Sequence, residues 1–194
     1  MTATPGYRDL SWSDRLAARL ALGRPGATLF NLGRRDLTAA EVRWTQLETA
    51  LSLGPELAIV LAGGNDLLRG ELDVDALQDE LVAIVGPLRE AGADVLTMDL
   101  FDITISGHVP ERFVAVMSRR LAQLAELTRE VSEAAGGLHV PLRAHPAAAD
   151  PGLFSTDGLH LNARGHAIVA TALARHLGAV RRRARARARA AEAA

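Results

Sequence analysis

A chain of 194 residues, 48% of them hydrophobic, is long enough to bury a sizeable core in one domain, and this composition excludes disorder. With no cysteine, it has neither disulfides nor thiolate nucleophiles nor cysteine-ligated metals. All 22 basic residues are arginines; excluding 181–194, 16 arginines stand against 22 acids, a net of about −6, which is not the charge of a nucleic-acid-binding domain.

The first stretch, "MTATPGYRDLSWSDRL", lacks the charged-then-apolar pattern of an export signal, so a cytoplasmic location is expected. The first predicted element is a helix over 13–22, with Ser13 as its N-cap. A strand follows over 27–33 ("ATLFNLG"), then a helix over 37–53, where Thr38 and Glu41 have the spacing of a capping box. The next strand is 56–63 ("ELAIVLAG"). A helix over 73–92 comes after it, and Pro87 should kink or divide that helix. The remaining elements are a strand over 93–101, a helix over 110–136, a strand over 137–142 and a helix over 162–178, with Asn162 as N-cap and Gly178 as C′. Near-continuous apolar strands alternating with amphipathic helices predict a three-layer α/β/α sandwich with a mainly parallel sheet. The domain is expected over 1–178. Residues 179–194 form an Arg/Ala-rich tail, either disordered or a helical extension, and no apolar run is long enough to span a membrane.

In such folds functional groups gather at the carboxyl ends of the strands. There, "GGND" places Gly63 and Gly64 where the chain can turn sharply and approach a ligand closely. The Asn65 amide then suits a hydrogen bond to a developing oxyanion, although the same residues also suit an ordinary capped turn. "DGLH" sets Asp157 three residues before His160, close enough for the carboxylate to fix one imidazole nitrogen and leave the other as a base. An Asp-Gly turn with an exposed histidine fits the spacing equally. His108, His139, His145, His166 and His176 are not spaced as a metal cluster, and the pairs Asp73/Asp75 and Asp99/Asp102 accompany no phosphate-cradling loop. No metal and no other cofactor is expected.

Taken together, "AGGNDLL", the strand "ADVLTMDLFD" and the closing "DGLHLNARGHAIVA" resemble the SGNH (GDSL) hydrolase family, from about Tyr7 to Gly178. The resemblance implies a flavodoxin-like sandwich and metal-free, serine-based hydrolysis of small-molecule esters, including lipid, acetyl-carbohydrate and thioester substrates. It implies that His160 is the base, Asp157 its orienting acid and Asn65 an oxyanion donor, with Gly63, Gly64 and Asp36 on the substrate-facing turns. The family's serine lies in a Gly-Asp-Ser segment after its first strand, and this sequence contains no such triplet. The opening residues resemble the stretch that follows it, so the first strand of the pattern is expected to be missing, through a start placed too late in the gene or, as the alternative, a genuine truncation. Ser11 and Ser13 stand at the start of a helix, where a capping serine is already engaged. Asp36 replaces the family's glycine five residues after Asn31, and its carboxylate must turn away or pair with Arg34 or Arg35. The alternative is a non-catalytic small-molecule-binding protein of the same fold. No specific nucleic-acid partner is expected, although the six arginines in 181–190 could bind an anionic polymer or membrane surface without specificity. Acyl group, alcohol group and oligomeric state are not encoded legibly.

Overall fold

The computed structural model of the protein describes residues 4–69 and 71–192, with side chains of the last helix followed as far as Gly178. The chain divides into two compact units, Met1–Asn31 with Gly152–Ala194, and Leu32–Pro151.

The unit Leu32–Pro151 carries the sheet. Strands β1 (Leu57–Val60), β2 (Asp94–Met98) and β3 (Leu138–Val140) are parallel and lie in the order β1-β2-β3. Ala58 pairs with Val95, and Thr97 with His139, so β2 is central. Its largely apolar sequence follows from that place: Val95, Leu96, Thr97 and Met98 are all buried. Parallel strands need crossover helices, supplied by α4 (Val74–Glu90) and α5 (Glu111–Ala134). On α4 the buried residues Leu77, Leu81, Ile84, Val85 and Leu88 recur every three or four positions. They meet Leu121, Leu124, Leu127 and Val131 of α5, together with Val60 and Val95, in one core. Helix α2 (Ala39–Ser52) packs on α4, and its Thr38–Glu41 capping box forms as expected. The short helix α3 (Gly64–Leu68) follows β1 directly.

Pro87 does not divide α4. It stands in the last turn, where its missing N–H costs one bond, and the burial of Ile84, Val85 and Leu88 around it holds the helical path. The Pro87 carbonyl still accepts from Ala91 N at 2.9 Å.

The other unit pairs α1 (Trp12–Gly23) with α6 (Ala163–Glu192). Leu16 of α1 and Ala163, Val169, Ala170, Leu173 and Leu177 of α6 are buried. The N-cap of α1 is Ser11, whose Oγ accepts from Asp14 N; Ser13 lies inside the helix, so its expected capping role is corrected. Asn162 caps α6 as expected, its Oδ1 accepting from Arg164 N at 3.0 Å and Gly165 N at 3.1 Å. Gly178 does not end the helix, because Arg and Ala are strong helix formers and Gly178 keeps the helical path. The helix therefore continues to Glu192, while the arginine side chains of 181–190 lie outside the described residues.

No strand forms over 27–33, which corrects the prediction there. An apolar run becomes a strand only when a neighbour completes its ladder, and the described sheet contains three strands, none of them paired to this segment. Leu29 and Phe30 are consequently exposed, Phe30 by 59%. Among the described residues, no helix is long and apolar enough to cross a membrane.

Candidate active site

The loop preceding α6 closes on itself. Phe154 and Leu161 form an antiparallel bridge, Ser155 N donates to the His160 carbonyl at 2.7 Å, and Ser155 Oγ donates to the Leu161 carbonyl at 3.1 Å. Gly158 takes the left-handed conformation (φ 67°) that an Asp-Gly turn requires. Inside this turn one carboxylate has three partners. Asp157 Oδ1 accepts from Leu159 N at 3.0 Å and His160 N at 2.9 Å, while Oδ2 lies 2.7 Å from His160 Nδ1. The His160 backbone N–H first, then that of Leu159 and the imidazole, hold the Asp157 carboxyl well below the usual carboxylate range. An ionised carboxylate in this position favours the tautomer with Nδ1 as donor and fixes the orientation of the ring. Both side chains remain nearly half exposed.

The turn stands on α6. Asn162 Nδ2 donates to the carbonyls of Gly152 at 2.7 Å and Phe154 at 3.1 Å. Gly165 permits the close approach: a Cβ there would meet the Leu153 carbonyl oxygen at 2.7 Å and Leu161 Cβ at 2.9 Å.

The second predicted group is in the unit Leu32–Pro151. Gly63 is left-handed (φ 93°), and a Cβ on it would sit 2.5 Å from Leu124 Cδ1, so the turn after β1 requires glycine. Gly64 is less constrained, with Leu100 Cδ1 3.3 Å from a built Cβ. Asn65, half-buried on α3, donates from Nδ2 to the Leu37 carbonyl at 2.9 Å. The next residue, Asp66, accepts from Ala39 N at 3.0 Å. Arg69 donates to the Asp36 carbonyl and lies 3.3 Å from Glu41 Oε2. Asp36 itself is the single non-glycine residue with positive φ (64°) among the described residues. The left-handed geometry suited to the glycine of the resemblance is thus present with an aspartate in it. The structure brings Asn65 and Asp36 to one assembly, and Asp157 and His160 to another. Asp66 and Arg69 were not singled out from sequence, although "NDLLR" places polar residues about one turn apart, on α3 and at its C-cap, as a signal.

The description "GDSL-like Lipase/Acylhydrolase family" matches residues 1–168. The chain belongs to this family. Solved structures of the same fold include a psychrotrophic esterase EstA from Pseudoalteromonas sp., at 19% identity and a TM-score of 0.69, covering 87% of this chain and 86% of that one. TesA is similar at 22% identity and a TM-score of 0.72, with 86% of this chain and 87% of that one covered. A catalytic mutant of Axe2, an acetylxylan esterase from Geobacillus stearothermophilus, is 20% identical with a TM-score of 0.73, covering 91% and 87% respectively. No curated protein sequence matches.

Several other hydroxyls and histidines among the described residues have partners of their own. Ser11 Oγ donates to Asp14 Oδ2 at 2.6 Å and lies 2.8 Å from Ser13 Oγ. Ser13 is buried and receives a 3.5 Å contact from Asn31 Nδ2. His166, for which sequence offered no partner, accepts from Trp12 N through Nδ1 at 3.2 Å, joining the start of α1 to α6. Burial, then the charge of Arg15, lowers its pKa. His139 lies 2.9 Å from Thr97 Oγ1 and 3.7 Å from Asp99 Oδ2, His145 caps the short 3-10 helix Pro146–Ala149, and His108 Nε2 contacts the Pro151 carbonyl at 3.1 Å. Among the described residues, no group of histidines and carboxylates is arranged to hold a metal ion.

Proposed function

We propose that this member of the GDSL-like family is an SGNH-type ester hydrolase in which Asp157 orients His160 as the base and Asn65 is an oxyanion donor. The observation that carries the reading is the 2.7 Å contact between Asp157 Oδ2 and His160 Nδ1, made by a carboxylate whose other oxygen is held by two backbone N–H groups. A ring so fixed presents Nε2 to the hydroxyl it deprotonates. In the reaction, the nucleophile's oxygen attacks the ester carbonyl as His160 takes its proton. Negative charge develops on the carbonyl oxygen, where the second hydrogen of Asn65 Nδ2 stabilises it while the first stays on Leu37. The C–O bond to the alcohol then breaks as His160 returns the proton to the leaving oxygen. Gly63, Gly64 and the backbone of Asp36 shape the turns that face the substrate.

The family resemblance assigns the nucleophile to a serine in a Gly-Asp-Ser triplet, which these 194 residues do not contain. Water is the nucleophile His160 can activate without it, so turnover by this chain is slow. The neighbours named as esterases and acetylxylan esterases support a small-molecule carboxylic ester as substrate. A non-catalytic small-molecule-binding role is the second reading, favoured by Asp36, which sets a carboxylate at the turn where an oxyanion is expected.

Hydrolysis of p-nitrophenyl acetate by the chain and by His160→Ala tests the first reading. A rate above buffer that His160→Ala abolishes supports hydrolysis. Equal rates in the two proteins refute it and leave the binding role. A fluorophosphonate probe on a form carrying Gly-Asp-Ser ahead of residue 2 adds a second test, with labelling expected only when His160 is present.

A further inference from the structure

Helix α3 and its C-cap residue reach the turn ahead of α2 through three side chains: Asn65 to the Leu37 carbonyl, Asp66 to Ala39 N, and the C-cap Arg69 to the Asp36 carbonyl. The first two have evident tasks, an amide held rigid and a helix start satisfied. The third falls on the one described residue whose backbone is strained by its own Cβ, Asp36 at φ 64°. We propose that Arg69 is a positioning residue, holding the Asp36 carbonyl so that this left-handed residue and its adjoining peptide groups keep a fixed orientation beside the Asn65 amide. The purpose given to the turn rests on the ester-hydrolase reading; its geometry does not.

Three observations support Arg69 in this role. Its own backbone N–H donates to the Asn65 carbonyl at 3.1 Å, so the residue that grips Asp36 is also tied to the residue that carries the amide. Its guanidinium serves two partners through separate nitrogens, Nη2 to the Asp36 carbonyl and Nη1 toward Glu41 Oε2 at 3.3 Å. A planar fork reaches the two partners from separate nitrogens, whereas an ammonium has one nitrogen to offer both. The Glu41 contact is an insufficient reason for the arginine, because both side chains are about half exposed, where ion pairs contribute little. Moreover, Glu41 is already engaged by Thr38 N at 2.7 Å and Thr38 Oγ1 at 3.0 Å. The bond to the Asp36 carbonyl is the one that only Arg69 supplies.

The test is amide hydrogen exchange on the whole chain, comparing it with Arg69→Met, which keeps the apolar stem, and Arg69→Lys. If Arg69 anchors the turn, the Thr38 and Ala39 amides exchange about fivefold faster in Arg69→Met. Arg69→Lys is expected between the two, with α4 and α5 unaltered throughout. Unsubstituted chain in about 0.5 M salt keeps its slow exchange, because screening removes the Glu41 attraction but not a bond to a carbonyl. The proposal is overturned if Arg69→Met exchanges like the parent, if salt alone reproduces the variant, or if exchange rises across α4 and α5 as well. In p-nitrophenyl acetate hydrolysis, Arg69→Met lowers kcat about tenfold with KM unchanged, and a change in KM alone also overturns it. Absence of hydrolysis by the unsubstituted chain counts against the proposed function only, and the exchange measurement still decides Arg69.

Discussion

The Asp157–His160 turn and the turn at Asp36 are held by opposite strategies. Around Asp157 the contacts that hold the carboxylate are short-range: its two N–H donors and the imidazole come from the same four consecutive residues, within a loop bridged from Phe154 to Leu161. Around Asp36 the contacts come from α3 and its C-cap, about 30 residues further along the chain, through Asn65, Asp66 and Arg69. A local turn needs only its own sequence and a rigid base beneath it. A turn held from a distance needs the sheet and α3 to be folded before it acquires its shape, and it loses that shape with any single anchor.

Four changes probe this contrast, from the largest effect to the smallest. Gly165→Val should be the most damaging, because its side chain enters space occupied by the Leu153 carbonyl and Leu161; a loss of about 2–3 kcal/mol in urea unfolding is expected. A loss below about 0.5 kcal/mol would show that the local turn does not depend on its base. Asn65→Ala should cost about 1–2 kcal/mol, since the half-buried Leu37 carbonyl loses its donor, and any ester turnover should fall about 100-fold. If turnover persists at the parent rate, Asn65 is an anchor and not an oxyanion donor.

The third probe is pH. The His166 pKa is lowered in the folded state, and its Nδ1 must stay unprotonated to accept from Trp12 N. The unfolded chain takes up this proton first, so the contribution of His166 is present above about pH 6.5 and is lost as pH falls through the lowered folded value. Thermal unfolding should show a decline between about pH 7 and 5 that is flatter in His166→Gln. Asp157→Asn should change stability least, by less than about 1 kcal/mol at pH 7, because the pair is nearly half exposed. Its carboxyl is depressed in the fold, so the difference from the parent should shrink as pH falls below about 4, the ordinary value of the unfolded chain. A difference that grows on acidification contradicts the sign.

The same contrast explains how much was legible beforehand. The parallel α/β class, the strand expected within 93–101, the Thr38–Glu41 box and the Asp157–His160 contact are properties of near neighbours or of simple periodicity, and they could be read from residue order. The failures occurred where distant partners decide. Residues 27–33 have the composition of a strand but no ladder partner in the described sheet, and Pro87 sits in a helix whose core contacts outweigh one lost bond. Arg69 and Asp66 were missed because their partners at 36 and 39 are remote in sequence. Asp36 was noticed for its charge, whereas its backbone conformation distinguishes it more sharply.

The close approach at Gly165 gives the last motif two kinds of intolerance. Changes at Asp157 or His160, on the surface of the turn, should leave a protein that accumulates normally and does nothing. A side chain at 165 wedges between helix and loop, so the polypeptide should vanish from a cell before its chemistry can be assayed. In a pooled variant library scored for both abundance and turnover, the stretch 157–166 should therefore separate residues selected for what they do from one selected for the room it leaves.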